Sequence, residues 1–214
     1  MKNRLFLLLL LIIPFFVYSQ EKIKRVYEIS VINYPQIIEL IEYESGEYSG
    51  NIITKITKGK NRTSWLNRTW RSLWRVESKE IMGKTPLDEK VVEKVMSRLK
   101  ENGIETIKKC SDDKECDNYR FLDSGAVAFR IKLSNSEREY QFDEIYPLKE
   151  DNKEKIELRF KVQKLITILY EHIDINQGFA DLLETLPKGH YHWYRASGHS
   201  IVTINNRELK KQKL

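Results

Sequence analysis

Residues 27–58 read YEISVINYPQIIELIEYESGEYSGNIITKITK, three apolar runs separated by two turn clusters. In the first run Tyr27, Ile29 and Val31 alternate with Glu28 and Ser30, the period of two that belongs to a half-buried strand. Asn33-Tyr34-Pro35 breaks that run, and Ile37 to Glu44 forms the next. Ser45-Gly46-Glu47 is turn chemistry, and Tyr48 to Lys58, rich in Ile and Thr, is a third strand ended by Gly59. Short polar turns between strands predict antiparallel neighbours, hence a meander.

A change of period follows. Thr85-Pro86-Leu87-Asp88 predicts a helix start, with Thr85 as cap, Pro86 at the first helical position and Asp88 at the positive end of the dipole. Leu87, Val91, Val95 and Leu99 make one stripe, widened by Val92 and Met96, and Asn102-Gly103 ends it. The predicted helix spans 86–102.

The pattern then recurs. Ile104 to Lys109 reads as a strand leading into a polar loop, and Tyr119 to Leu122 as a short extended piece before the turn Asp123-Ser124-Gly125. Val127, Phe129, Ile131 and Leu133 alternate with Ala128, Arg130 and Lys132. After Ser134-Asn135-Ser136, Tyr140 and Phe142 carry the next strand. A long helix is predicted from about Lys153 to Ile173, capped by Asp151 or Asn152, with Leu158, Val162, Leu165, Ile166, Leu169 and Ile173 buried. Phe179, Leu182, Leu183 and Leu186 predict a short helix that stops before Pro187. His190 to Arg195 and His199 to Asn205 form a C-terminal β-hairpin around Ser197-Gly198.

The fold class is therefore α+β: antiparallel meanders with helices packed on one sheet face. Residues 20–206 form a single domain, with meander-then-helix occurring twice, in 20–103 and 104–206. The halves share no obvious residue identity, so this is an architectural echo rather than a repeat. Residues 207–214 are a basic tail.

The N-terminus sets the compartment. Lys2 and Arg4 precede an apolar stretch, Leu5 to Val17, broken only by Pro14, and Val17-Tyr18-Ser19 offers a cleavage site before Gln20. This is the layout of a signal peptide over residues 1–19. Thirteen apolar residues fall short of the roughly 20 that a spanning helix requires. The Ser-Gln ending resembles that of exported proteins of certain Gram-negative bacteria, which places the mature chain in the periplasm or the medium. Loss of Lys2 and Arg4 leaves 35 bases against 31 acids, a net +4 instead of +6. So mild a charge, on an exported chain, argues against nucleic acid as a partner.

Two cysteines, Cys110 and Cys116, predict one disulfide across Ser-Asp-Asp-Lys-Glu in an oxidising compartment. Their spacing lacks the Cys-x-x-Cys of redox and zinc sites.

Two constellations attract a functional reading. Between 60 and 84 the elements are ambiguous: Arg62 to Val76 fits a basic amphipathic helix, or a strand and loop continuing the meander. On a helix Trp65, Trp70 and Trp74 share one side and Arg68, Arg71 and Arg75 the other. Trp and Arg dominate binding hot spots, so these six are the candidate partner-binding residues for an envelope protein or glycan. The same segment allows weak association with an anionic membrane surface. The alternative is that the tryptophans pack on the sheet while the arginines meet water. The second constellation is His190 and His192, two residues apart on one strand face and close enough to share a metal. A Ser197-Gly198 turn places His199 about four residues from His192, roughly 13 Å at ~3.3 Å per residue, too far to complete a mononuclear site.

The acidic run Asp112, Asp113, Glu115 and Asp117 lacks the alternating ligands and glycine of an EF-hand loop. Ser124 has no Gly-x-Ser-x-Gly elbow, and the chain holds no His-Glu-x-x-His, phosphate loop or dinucleotide fingerprint. No cofactor is called for. The expected function is that of an exported binding protein of the bacterial envelope, inhibitor-like or immunity-like. The alternatives are a cell-wall or glycan-acting enzyme and a peripheral membrane protein docked through residues 62–76.

Overall fold

The structure, a computed structural model, describes residues 21–32, 34–59, 79–119, 125–195 and 198–204. Residues 1–19, the segment 62–76 and the tail 207–214 lie outside the described residues, and with them the expected signal peptide and all six candidate Trp and Arg residues.

Eight strands form one antiparallel sheet: β1 (Ile23–Ser30), β2 (Gln36–Tyr43), β3 (Tyr48–Gly59), β4 (Lys79–Pro86), β5 (Ala126–Leu133), β6 (Ser136–Asp143), β7 (Gly189–Arg195) and β8 (Gly198–Ile204). Among the described residues four α-helices accompany them: α1 (Glu89–Glu101), α2 (Lys114–Asp117), α3 (Glu157–His172) and α4 (Ile175–Thr185). The α+β class, the helix-covered sheet and the C-terminal hairpin all match the sequence expectation. Strands of the second meander flank the first, because β5 pairs with β1 and β7 with β3; the order runs β6-β5-β1-β2-β3-β7-β8, with β4 pairing β3 off this path.

Alternation decides which side is covered. Tyr27 and Ile29, Ile38 and Leu40, Ile52, then Val127, Phe129, Ile131, Tyr140 and Phe142 all face inward, onto α1 and α3. The helices answer with Val92, Val95, Met96 and Leu99 from α1, and Leu158, Val162, Leu165, Ile166 and Leu169 from α3. Gly50 lets α1 approach, since a Cβ there would lie 2.7 Å from Val92 Cγ2. Two buried polar residues on α3 were not anticipated. Arg159, 1% exposed, holds both carboxylate oxygens of Glu154 and donates to the Asp143 carbonyl at 2.9 Å. Gln163 ties the β6–α3 loop through the Asn152 carbonyl and the Glu154 amide.

The other sheet face has no helix on it among the described residues. It carries Ile37, Ile41 and Ile53, partly exposed, beside a charge ladder in which Lys132 reaches Glu28 at 2.6 Å and Arg130 lies within 3.5 Å of Glu28, Glu137 and Glu139.

A smaller core sits at the far end of β3. Ile56, Ile81, Tyr191, Trp193, Val202 and Ile204 pack under α4, which contributes Phe179, Leu182 and Leu183.

Several boundaries differ from expectation. The first helix starts at Glu89 with Asp88 as cap, its carboxylate accepting from Lys90 and Val91 amides, because Thr85 and Pro86 are held in β4 opposite Ile52 and Asn51. Its stop is as expected: Gly103 takes φ +81, a left-handed conformation that glycine tolerates. Ile104–Thr106 is a 3-10 turn, not a strand, because Ile104 turns into the core beside Leu99 while Glu105 pairs with Arg25. The long helix begins at Glu157, four residues later than predicted; Asn152 is occupied by Lys149 N and Pro147 O and does not cap it. The pairing of the terminal hairpin is shifted by two residues from that of a Ser197-Gly198 turn, with Arg195 opposite Gly198 and Tyr191 opposite Val202. A two-residue slip preserves faces, so the apolar side still points inward.

Cys110 and Cys116 are disulfide-bonded, with Cα atoms 5.2 Å apart. Cys116 is fully buried in the main core, so the bridge pins the acidic loop to that core rather than stapling it to itself. Replacing both cysteines with alanine is expected to lower stability by about 2 kcal/mol, the value for so short a loop. Urea denaturation measures it; a loss under about 0.5 kcal/mol would mean that Asp113, which caps α2 through Glu115 and Cys116 amides, holds the loop alone.

Candidate functional site

The site grows from a gap in strand pairing. β4 runs along one edge of β3, from Asn51 to Lys58. The opposite edge is shared: β2 pairs with it from Tyr48 to Thr54, and β7 from Thr57 to Gly59. Neither strand is in register with Lys55 and Ile56, although the Lys55 amide donates to the Pro35 carbonyl at 2.9 Å. The sheet is therefore notched where β2 begins and β7 has yet to arrive.

A cavity of about 420 Å³ occupies the notch. Ser30, Ile37, Lys55, Thr57 and Glu80 come from the uncovered face, with Glu80 and Thr57 directly opposite in register. Gln36 and Trp193 come from the covered face, and Tyr34 from the β1–β2 turn. Alternation explains the mixture: a hole through a sheet is bordered by residues of both phases.

The aromatic wall is braced. Phe179 of α4 meets Tyr34 edge-on at 6.0 Å and Trp193 edge-on at 5.1 Å. Such T-shaped contacts set the positive ring edge of one partner against the negative face of the other. Gly178 lets α4 sit close enough to provide this brace, since a Cβ there would lie 3.2 Å from Ile52 Cδ1.

Gln36 is the exceptional member. It is 1% exposed, and neither its amide nitrogen nor its amide oxygen has a hydrogen-bond partner. A buried amide left unsatisfied costs about 1–3 kcal/mol, so its retention calls for an explanation. It sits at the first covered-face position of β2, in phase with Ile38 and Leu40, where alternation would place an apolar residue.

A larger cavity, about 650 Å³, lies between the β1–β2 turn, α3 and the β6–α3 loop. On its wall the Asn152 amide is used at both ends, accepting from Lys149 N and donating to the Pro147 carbonyl. Burial pushes the Tyr170 hydroxyl there up to about 12, which keeps it a neutral donor. Tyr34 borders both cavities.

His190 and His192 lie on the uncovered face of β7, as the alternation predicts. His192 stands opposite Thr57, completing a row Glu80–Thr57–His192 across three strands. His190 is engaged at Nδ1 with the Thr203 hydroxyl, 3.0 Å away. The slipped hairpin register brings His199 to two positions from His192 instead of four. No three His, Cys, Asp or Glu side chains cluster as a metal site among the described residues. In the acidic loop Asp113 serves as a helix cap.

The notch residues were not singled out from the sequence, since Gln36, Thr57, Glu80 and Trp193 are far apart in the chain and meet only through strand pairing. The readable signal was Gln36, a polar residue in an apolar phase. No family model, no curated protein and no solved structure matches this chain.

Proposed function

We propose that this chain is an exported binding protein of the bacterial cell envelope, and that the notch between β2 and β7 is where it binds. The observation that carries the reading is the cavity itself: braced aromatic rings, a buried amide lacking partners, and a wall to which the uncovered sheet face contributes Ser30, Lys55, Thr57 and Glu80. Convergent polar groups in a partly apolar cavity are the usual features of a ligand site. Its wall holds one carboxylate, Glu80, and no histidine, whereas glycoside hydrolysis generally uses a pair of carboxyl groups. That composition supports binding over catalysis. Residues 1–19 and the Cys110–Cys116 bridge support export to an oxidising compartment.

The test has two parts. Expression of the full chain in a Gram-negative host should yield a periplasmic or secreted product whose mass begins at Gln20; a cytoplasmic product retaining residues 1–19 would overturn the export reading. Purified residues 20–214 should cosediment with isolated cell envelopes. Thr57→Trp, which fills the notch from the uncovered face, should reduce that binding at least tenfold with an unchanged far-ultraviolet spectrum. Binding indifferent to Thr57→Trp would remove the notch from the function.

A further inference from the structure

We infer that the larger cavity, between the β1–β2 turn, α3 and the β6–α3 loop, takes a monocarboxylate with a hydrocarbon tail, a medium-chain fatty acid. This site is separate from the notch and does not rest on it. The base of the cavity is aliphatic. Val31 and Ile32 come from the β1–β2 turn, Val127 from β5, Ile145 from the loop after β6 and Ile166 from α3. All five belong to the main core, and none has a polar side-chain atom. The part of a ligand that reaches them must therefore be hydrocarbon, since a polar group buried there would lose its hydrogen bonds. A volume of about 650 Å³ lies within the range of small-ligand cavities.

The polar part of the wall selects the head group. Tyr34, Tyr146, Lys149, Tyr170 and Asn176 stand there with Asn152. Asn152 is engaged within its own loop, whereas among the described residues no hydrogen bond or ion pair holds the other five side chains. Tyr170 lies one turn beyond Ile166 on the same face of α3, which sets a hydroxyl beside the aliphatic base. Burial first, then the neighbouring Tyr34 hydroxyl, keeps Tyr170 neutral, with its proton available to an acceptor. Tyr34 and Tyr170 are both partly exposed, and neither hydroxyl is sealed from solvent as the Gln36 amide is. Lys149 is exposed and is the one charged residue of the wall among the described residues. A single cation with neutral hydroxyl donors matches a carboxylate, whose oxygens only accept. It offers too little charge for a dianion, and it repels a cationic head.

The test is calorimetry of the purified protein with octanoate, octanol, octyl phosphate and octyltrimethylammonium, each below the concentration at which it forms micelles. Octanoate should bind about tenfold more tightly than octanol, and octyltrimethylammonium should not bind. Lys149→Glu and Tyr170→Phe should each weaken octanoate about tenfold and leave octanol within about twofold, because they alter the head-group contacts alone. The melting temperature of Tyr170→Phe should not fall, since its hydroxyl has no partner within the protein to lose; a fall would assign the hydroxyl to the fold and overturn its role in binding. No octanoate binding, equal affinity for octanoate and octanol, or indifference to both variants would overturn the inference, as would a preference for octyl phosphate. Loss of octanoate binding in Thr57→Trp would place the ligand in the notch and overturn the assignment to this cavity. Failure of envelope binding leaves the octanoate measurement standing, so the two readings fail separately.

Discussion

Replacing Arg159 with methionine is expected to destabilise the protein by about 3 kcal/mol or more, the range for breaking a buried ion pair from one side. The guanidinium is 1% exposed and bonds both oxygens of Glu154, at 2.7 and 2.9 Å, together with the Asp143 carbonyl. Its removal strands a carboxylate that is only 17% exposed and a carbonyl at the end of β6. The Tyr119 ring also loses the cation centred 5.1 Å from it. Methionine fills part of the volume but satisfies none of these acceptors. The midpoint of urea denaturation measures the loss. Adding Glu154→Gln should restore part of it, because both charges are then gone and the remaining side chain needs weaker partners. A loss below about 1 kcal/mol, or no recovery in the double variant, would show that water satisfies Glu154 without Arg159.

Gly50→Val is expected to be nearly as damaging, at about 3 kcal/mol, the upper end for overpacking a core. A Cβ at Gly50 would stand 2.7 Å from Val92 Cγ2, 3.0 Å from the Glu39 carbonyl oxygen and 3.3 Å from Leu40 Cδ2. One obstacle is backbone and another is a β-branched side chain with restricted rotamers in its helix, so neither yields easily. Relief requires α1 to move off the sheet, which opens the contact of Val92, Val95 and Leu99 with the main core. Gly83 provides the contrast. Its Cβ would come within 2.6 Å of Leu182 Cδ1, the far end of a flexible side chain on α4, and a change of rotamer can release it. Gly83→Ala should therefore cost less than about 1 kcal/mol, near the level of an ordinary surface change. Thermal or urea denaturation of both variants decides the matter; equal losses would show that α4 is held as rigidly as α1.

The element types were largely legible because each has its own period. The alternation over 27–58 and 126–142 placed five strands, and the 3.6-residue stripes of 86–102 and 158–173 placed the two main helices. Boundaries were less legible where two local preferences competed. Thr85-Pro86 is acceptable both as a helix start and as the end of a strand, and pairing with Asn51 and Ile52 settled it in favour of the strand. Ile104 to Lys109 has strand-like composition, but a 3-10 turn buries Ile104 and brings Glu105 to the Tyr27 hydroxyl at 2.6 Å. Burial, and after it that carboxylate, raise the Tyr27 hydroxyl well above its usual range. Burial of Arg159 and Gln163 is not legible in the sequence because a helical stripe is read from apolar residues, and a polar residue on it looks like a boundary.

The site was less legible than the fold. Local concentrations such as the Trp/Arg segment and the paired histidines stand out because a single sequence displays only neighbours along the chain. The notch draws on the β1–β2 turn and on β2, β3, β4 and β7, at positions from 30 to 193. Only the offset between β2 and β7 along one edge of β3 creates it.

What the sequence by itself determined is the α+β class, the faces of its strands and main helices, and the Cys110–Cys116 partnership, since each depends on periodicity or on proximity in the chain. Tertiary structure alone decided that the two meanders share one sheet, that one of its faces is packed by α1 and α3, and that a hole remains beside Gln36. Strand order and edge sharing are set by long-range pairing, and hydrogen bonds between strands are made by backbone groups that every residue other than proline carries alike. Local pattern is therefore written in side chains, while the position of the notch follows from which backbones happen to meet.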